Sequence, residues 1–121
     1  MGRIQMIEYK AKKIFFADFS KLTNIDEIKS VIVENKAFMR QQAPNSLYTL
    51  TSIQDMHFNN EIRDLFIELG KHNKPYVRVA AIVGVTGLKQ IMYNGIIKLT
   101  GREMKLFSTI EQAKEWLFLQ K

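Results

Sequence analysis

Cysteine is absent from the 121 residues, which removes disulfides, thiolate metal sites and cysteine nucleophiles together. That absence fits a reducing compartment, and a cytoplasmic location is the expectation. Histidine is nearly absent too. His57 and His72 are the only two, and neither has a second histidine at ligand spacing, so no metal site is expected. Long apolar runs are missing. The longest, Val79 to Val85, falls far short of the roughly 20 residues that span a bilayer. The N-terminus, MGRIQMIEYK, has no apolar core for a signal peptide, and Gly2 lacks the Ser or Thr of a myristoylation site. No transmembrane segment and no secretory address are expected. The signatures H-E-x-x-H, G-x-S-x-G, G-x-x-x-x-G-K-[ST] and the dinucleotide glycine fingerprint do not occur. The chain therefore reads as a non-enzyme, with no catalytic residue and no cofactor.

Acidic residues are scarce in one stretch. Residues 1–68 balance nine basic residues against nine acids, whereas residues 69–110 carry Lys71, Lys74, Arg78, Lys89, Lys98, Arg102 and Lys105 against Glu103 alone. The whole net charge of +6 lies there. Such a segment attracts phosphate, acidic protein or anionic lipid, or simply solvates a surface. No nucleic-acid-binding motif accompanies it, so nucleic acid is not the expected partner.

What is present suits one globular domain spanning residues 1–121, with 46% hydrophobic and 25% charged residues. Ile4 to Tyr9, the basic cluster Lys10 to Lys13 and the run Ile14 to Ser20 predict a hairpin, its turn type left open because it holds no glycine. Asn24 caps a predicted helix whose apolar face is Ile25, Ile28, Val31, Ile32 and Met39, with Asn35 on that same face. Pro44 and Asn45 end it. A β-rich run from Ser46 to Ile53 and a loop over 54–60 lead to a helix capped by Asn59 or Asn60, with Ile62, Leu65, Phe66 and Leu69 inward. A strand over 76–83 and a helix over 87–99 follow, with Gly101 as a left-handed cap. A short strand over 103–107 precedes a final helix, opened by a Ser108–Glu111 capping box and facing inward with Ile110, Ala113 and Leu117. The fold class is α/β, a mixed β-sheet with four helices in the order β-β-α-β-α-β-α-β-α.

The stretch from Tyr76 to Gly101 is the likeliest binding edge, because a central strand there delivers its C-terminal end to a helix. In the strand-to-helix turn Gly84 to Gly87, Thr86 and the free N–H groups at Gly87 and Leu88 can cradle an anion, or Thr86 merely caps its own helix. Leu88, Ile91, Met92, Ile96 and Leu99 are the expected inner face of that helix, leaving Tyr93 and Ile97 outside beside Lys89 as a partner or dimer contact. Asp55, His57 and Asn59 share the loop after the third strand. The first two can form an acid–base pair, or be ordinary polar loop residues.

Tyr76-Val77-Arg78-Val79-Ala80-Ala81-Ile82-Val83-Gly84, then Lys105-Leu106-Phe107, then Glu111, Ala113 and Trp116-Leu117 resemble the STAS-like, SpoIIAA-like (STAS/SEC14-type) group, named after a sporulation anti-sigma-factor antagonist. The resemblance implies a four-helix, mixed-sheet regulatory or ligand-sensing module, generally non-catalytic; the expected partner is another protein or a second copy of this chain as a homodimer. In the anti-sigma antagonists the switch is a phosphorylatable Ser in an Asp-Ser motif between the third strand and second helix. Here Asp55 is followed by Met56, so that switch does not carry over. The SEC14 side of the name implies apolar ligands, and the alternative reading is a carrier that holds a small anion or lipid at the strand ends near Gly84 to Gly87.

Overall fold

The computed structural model describes residues 2–101 and 104–120, apart from the side chains of Leu88 and Met92. Strands β1 (Ile4–Tyr9) and β2 (Lys12–Asp18) pair antiparallel with Tyr9 opposite Lys12, so Lys10 and Ala11 alone make the turn. Their φ angles are 50° and 70°, both left-handed, as in a type I′ turn whose twist matches the strands. Two L-residues hold this conformation at about 1 kcal/mol each. Replacing Ala11 with glycine is expected to raise the unfolding free energy by roughly 0.5 kcal/mol, the strain relieved less glycine's larger chain entropy. A urea titration with unchanged slope measures it.

The remaining elements are α1 (Ile25–Met39), β3 (Leu47–Ser52), α2 (Asn60–Asn73), β4 (Val77–Val83), α3 (Leu88–Thr100), β5 (Lys105–Phe107) and α4 (Ile110–Leu119). The sheet runs β1-β2-β3-β4-β5, antiparallel only between β1 and β2. Because the parallel strands add in sequence order, right-handed crossovers put α1, α2 and α3 on one face. Phe15, Ala17, Ile28, Val31, Ile32, Ile62, Leu69 and Ile82 form the core there. Helix α4 lies on the other face and seats Ala113 and Leu117 on Ile14, Leu50, Ala81 and Val83. Alanine at both 81 and 113 lets helix and sheet approach closely. Lys12 bonds the carbonyls of Leu117, Phe118 and Gln120 at the end of α4 while its ammonium lies 3.9 Å from the Tyr48 ring centroid. That places a cation where the helix dipole is negative.

Asn24 caps α1 as expected, with its side chain accepting from Asp26 and Glu27. Asn59, not Asn60, caps α2, accepting from the Ile62 N–H at 2.9 Å. Two expected caps are corrected. Thr109 rather than Ser108 opens α4, accepting from the Gln112 N–H at 3.1 Å, so the capping box with Glu111 does not form. Thr109 is the last extended residue, one position later than the motif placed the boundary. Thr86 does not cap α3. Gly87 occupies the cap position with φ 58° and offers no side chain.

The facing of α3 is the larger correction. Tyr93 is 7% exposed and Ile96 6%, whereas Ile91 is 70% and Leu99 61% exposed. Ile97 is half-buried against the core. Ile96 thus faces the core as expected, but Tyr93 and Ile97, expected outside, face it as well, while Ile91 and Leu99, expected inside, are exposed; the side chains of Leu88 and Met92 lie outside the described residues. The physical reason is that α3 packs chiefly on α2 rather than flat on the sheet. Apolar residues surround α3 on most sides, so periodicity alone did not fix its rotation. The Tyr93 hydroxyl donates to the Met104 carbonyl at 2.5 Å, which satisfies the phenol that this orientation buries.

Candidate functional site

The C-terminal ends of β3, β4 and β5 converge on one edge, where the loop after β3 meets the turn before α3. The loop is pinned from several sides. Ile53 and Met56 are 4% and 2% exposed, the Ile53 N–H donates to Val83 at 2.9 Å, and the His57 N–H donates to Leu22 at 2.9 Å. The Gln54 carbonyl accepts from the Lys21 N–H at 2.8 Å. Asp55 takes φ 59°, turning the chain so that Met56 points inward while Asp55 stays exposed.

Gly84 comes against this loop so closely that a Cβ would lie 2.5 Å from the Gln54 nitrogen, at a φ of 99°. Only glycine fits there. Lys89, from the first turn of α3, donates to the Ile53 carbonyl at 3.1 Å and ties the helix to the loop. Burial pushes its ammonium below the usual lysine range, with the charge of Asp55 opposing the shift. Gln54, Asp55, Gly84, Thr86, Lys89 and Ser108 line an open cleft of about 500 Å³.

The structure thus brings Asp55, Gly84, Thr86 and Lys89 of the sequence-derived candidates to one place, with Gly87 at the adjoining helix start. It does not unite Asp55 with His57 in a hydrogen bond. The His57 ring lies 3.3 Å from the Asn59 amide instead, and Asn59 also caps α2. Tyr93 and Ile97 belong to the interior. Among the described residues no group of His, Asp and Glu could hold a metal ion, and no helix is long and apolar enough to cross a membrane.

A second space was not foreseen. Between the sheet and the three helices lies a largely apolar cavity of about 60 Å³, walled by Phe15, Met39, Phe66, Leu69, Ile82 and Tyr93. Asn35, Asn73 and Thr49, 3%, 5% and 5% exposed, put polar groups on that wall. The Asn73 amide donates to Asn35 at 3.0 Å, and the His72 Nδ1–H donates to Asn73 at 2.8 Å. The signal was Asn35 on the apolar face of α1; its partner, 38 positions later, had no local sign. Lys89 borders both cavity and cleft.

No curated protein matches the sequence. Among solved structures, a protein titled an anti-sigma-factor antagonist (STAS) domain protein, from Planctomyces limnophilus, superposes with a TM-score of 0.61 at 15% identity, covering 97% of this chain and 98% of that one. That likeness bears on the fold, and the mixed five-strand sheet with four helices is consistent with it. A family model described as SpoIIAA-like matches residues 13–118. The chain belongs to the SpoIIAA-like family and has the STAS fold.

Proposed function

We propose that this domain is a non-catalytic regulatory module that works by protein contact, through the loop 54–60 and the adjoining helix α3. The observation that carries the reading is the joint between those two elements. Lys89 bound to the Ile53 carbonyl and Gly84 pressed on Gln54 make the loop and the helix start one continuous surface. A partner touching the loop therefore also meets α3, with Ile91 and Leu99 displayed as apolar anchors. Control by phosphorylation after Asp55 is not part of this reading, since Met56 has no hydroxyl and is buried.

Affinity capture from lysate of the source organism tests it, with wild type, Asp55→Arg and Ile91→Asp compared side by side. Both positions are exposed, so each variant is expected to keep its circular dichroism and to lose at least tenfold of the captured partner. A partner held equally by all three would remove this surface from the reading.

The cavity favours a second reading, a small anionic or lipid ligand. At about 60 Å³ the space is below the ~300 Å³ of an ordinary ligand pocket, so such a ligand requires the helices that wall it to move apart. Lys89, on the wall of both spaces, is the group placed to meet an anionic head. Under this reading Lys89→Met keeps the fold, because it removes a partly desolvated charge, and abolishes retention of co-purifying ligand in native mass spectrometry. Clean spectra from repeated wild-type preparations would remove the reading.

A further inference from the structure

The main-chain groups on the outer edge of β1 form a pattern that fits its own two-fold copy. The Asp18 N–H donates to the Arg3 carbonyl at 2.9 Å, and the register pairs Gln5 with Phe16, Ile7 with Ile14 and Tyr9 with Lys12. In an antiparallel ladder this alternation directs the N–H and C=O of Arg3, Gln5, Ile7 and Tyr9 to β2. Those of Ile4, Met6 and Glu8 point away from the sheet. A second β1, run antiparallel with Met6 opposite Met6, sets Ile4 opposite Glu8 on both sides. Every outward residue of the strand then exchanges both of its main-chain bonds with a partner, and each face of one sheet continues into the same face of the other.

We infer that a second copy of this chain docks at β1, extending two five-stranded sheets into one across a two-fold axis through Met6. Three observations select this occupant and this edge. The edge is six residues long with no proline and one charged residue, Glu8, so it lacks the devices that usually block edge pairing. Met6, at the axis, is 39% exposed and would meet its own copy. The charge distribution decides between the sheet's two edges. The net +6 lies entirely within residues 69–110, which build the end of α2, β4, α3 and β5, whereas residues 1–68 are neutral. Two copies meeting at β5 would bring their basic halves together over a strand of only three residues. Meeting at β1 keeps those halves at opposite ends, where salt screens them. The dimer leaves the loop 54–60 and α3 untouched, so it is independent of the proposed contact surface.

The chain has no cysteine, which makes a single introduced thiol a clean reporter. In Met6→Cys the two sulfurs sit across the axis. Mild oxidation is expected to convert most of the protein to a linked dimer, while the exposed control Leu119→Cys stays largely monomeric. Met6→Pro removes an N–H that β2 does not use, so the hairpin tolerates it but the new ladder does not. Light scattering coupled to gel filtration should give twice the chain mass for wild type near 100 µM (about a hundred times a Kd on the order of 1 µM) and the single mass for Met6→Pro with unchanged circular dichroism. Met6→Lys, which keeps every main-chain donor and adds like charge at the axis, should weaken the dimer at least tenfold and backs up the proline variant if that one misfolds. A wild-type chain that is monomeric at this concentration would overturn the inference. So would a dimer unaffected by Met6→Lys, or equal cross-linking through Leu119→Cys.

Discussion

Gly84→Ala is expected to lower the unfolding free energy by about 3 kcal/mol or more, the largest loss predicted for adding one methyl group to this chain. Two costs combine. A φ of 99° lies outside the regions open to L-residues, and the new Cβ would fall 2.5 Å from the nitrogen of Gln54, 2.6 Å from its Cα and 2.9 Å from the carbonyl carbon of Ile53. All three are main-chain atoms, so no side chain can swing aside. The loop itself must move, and with it the bond from Ile53 to Val83 and the bond from Lys89 to Ile53. In a domain of this size the loss should appear as a fall of roughly 10 °C or more in the melting midpoint. Gly87→Ala is the internal control. At φ 58° and ψ −130° alanine is strained there too, but nothing lies within 4 Å of the added carbon, so only the conformational cost of about 1–3 kcal/mol is expected, less than at Gly84. If Gly84→Ala melted within about 3 °C of wild type, the loop could not be held as tightly as the candidate surface requires.

That glycine also marks how far the sequence could be read. Gly84 at a strand end announced a turn into a helix, and the strand before it was legible from its Val, Ala and Ile run. Element order, the mixed sheet and the faces of α1 and α2 were equally visible, because their apolar residues recur at one period on one side. The rotation of α3 was not. Ile91, Tyr93, Ile96, Ile97 and Leu99 give that helix two plausible inner faces, and the choice depends on α2 lying beside it, a tertiary fact with no local trace. The same holds for Lys89. The sequence placed it as an exposed candidate beside Tyr93 and Ile97, yet the close approach of the loop after β3 half-buries it against the Ile53 carbonyl. The caps failed differently. Ser108 and Thr109 are adjacent hydroxyl residues and either can open α4; a one-residue boundary is the finest detail that the sequence pattern leaves open.

The buried amide pair should respond to substitution in a way that separates its structural role from a role in the cavity. Asn35→Leu leaves the Asn73 amide donor without its acceptor, and Asn73→Leu leaves the Asn35 oxygen without its donor and frees the His72 ring. With both residues about 95% buried or more, each single change is expected to cost about 2 kcal/mol, mostly the penalty of the orphaned group. Leu is close to Asn in shape, so the double variant replaces a satisfied polar pair by an apolar one at nearly constant volume. Its cost should fall below either single, giving a favourable coupling near 2 kcal/mol in a double-mutant cycle read by urea unfolding. Additive costs would mean that each amide is satisfied elsewhere, the cavity being the nearest polar-lined space. The two arms then bear on function. An amide pair that only joins α1 to α2 can be replaced without consequence for binding, whereas amides that meet a ligand inside the cavity cannot. A stable double variant that keeps its protein partner but no longer retains small molecules would tie the ligand reading to the cavity; one that loses neither would confine Asn35 and Asn73 to holding the two helices together.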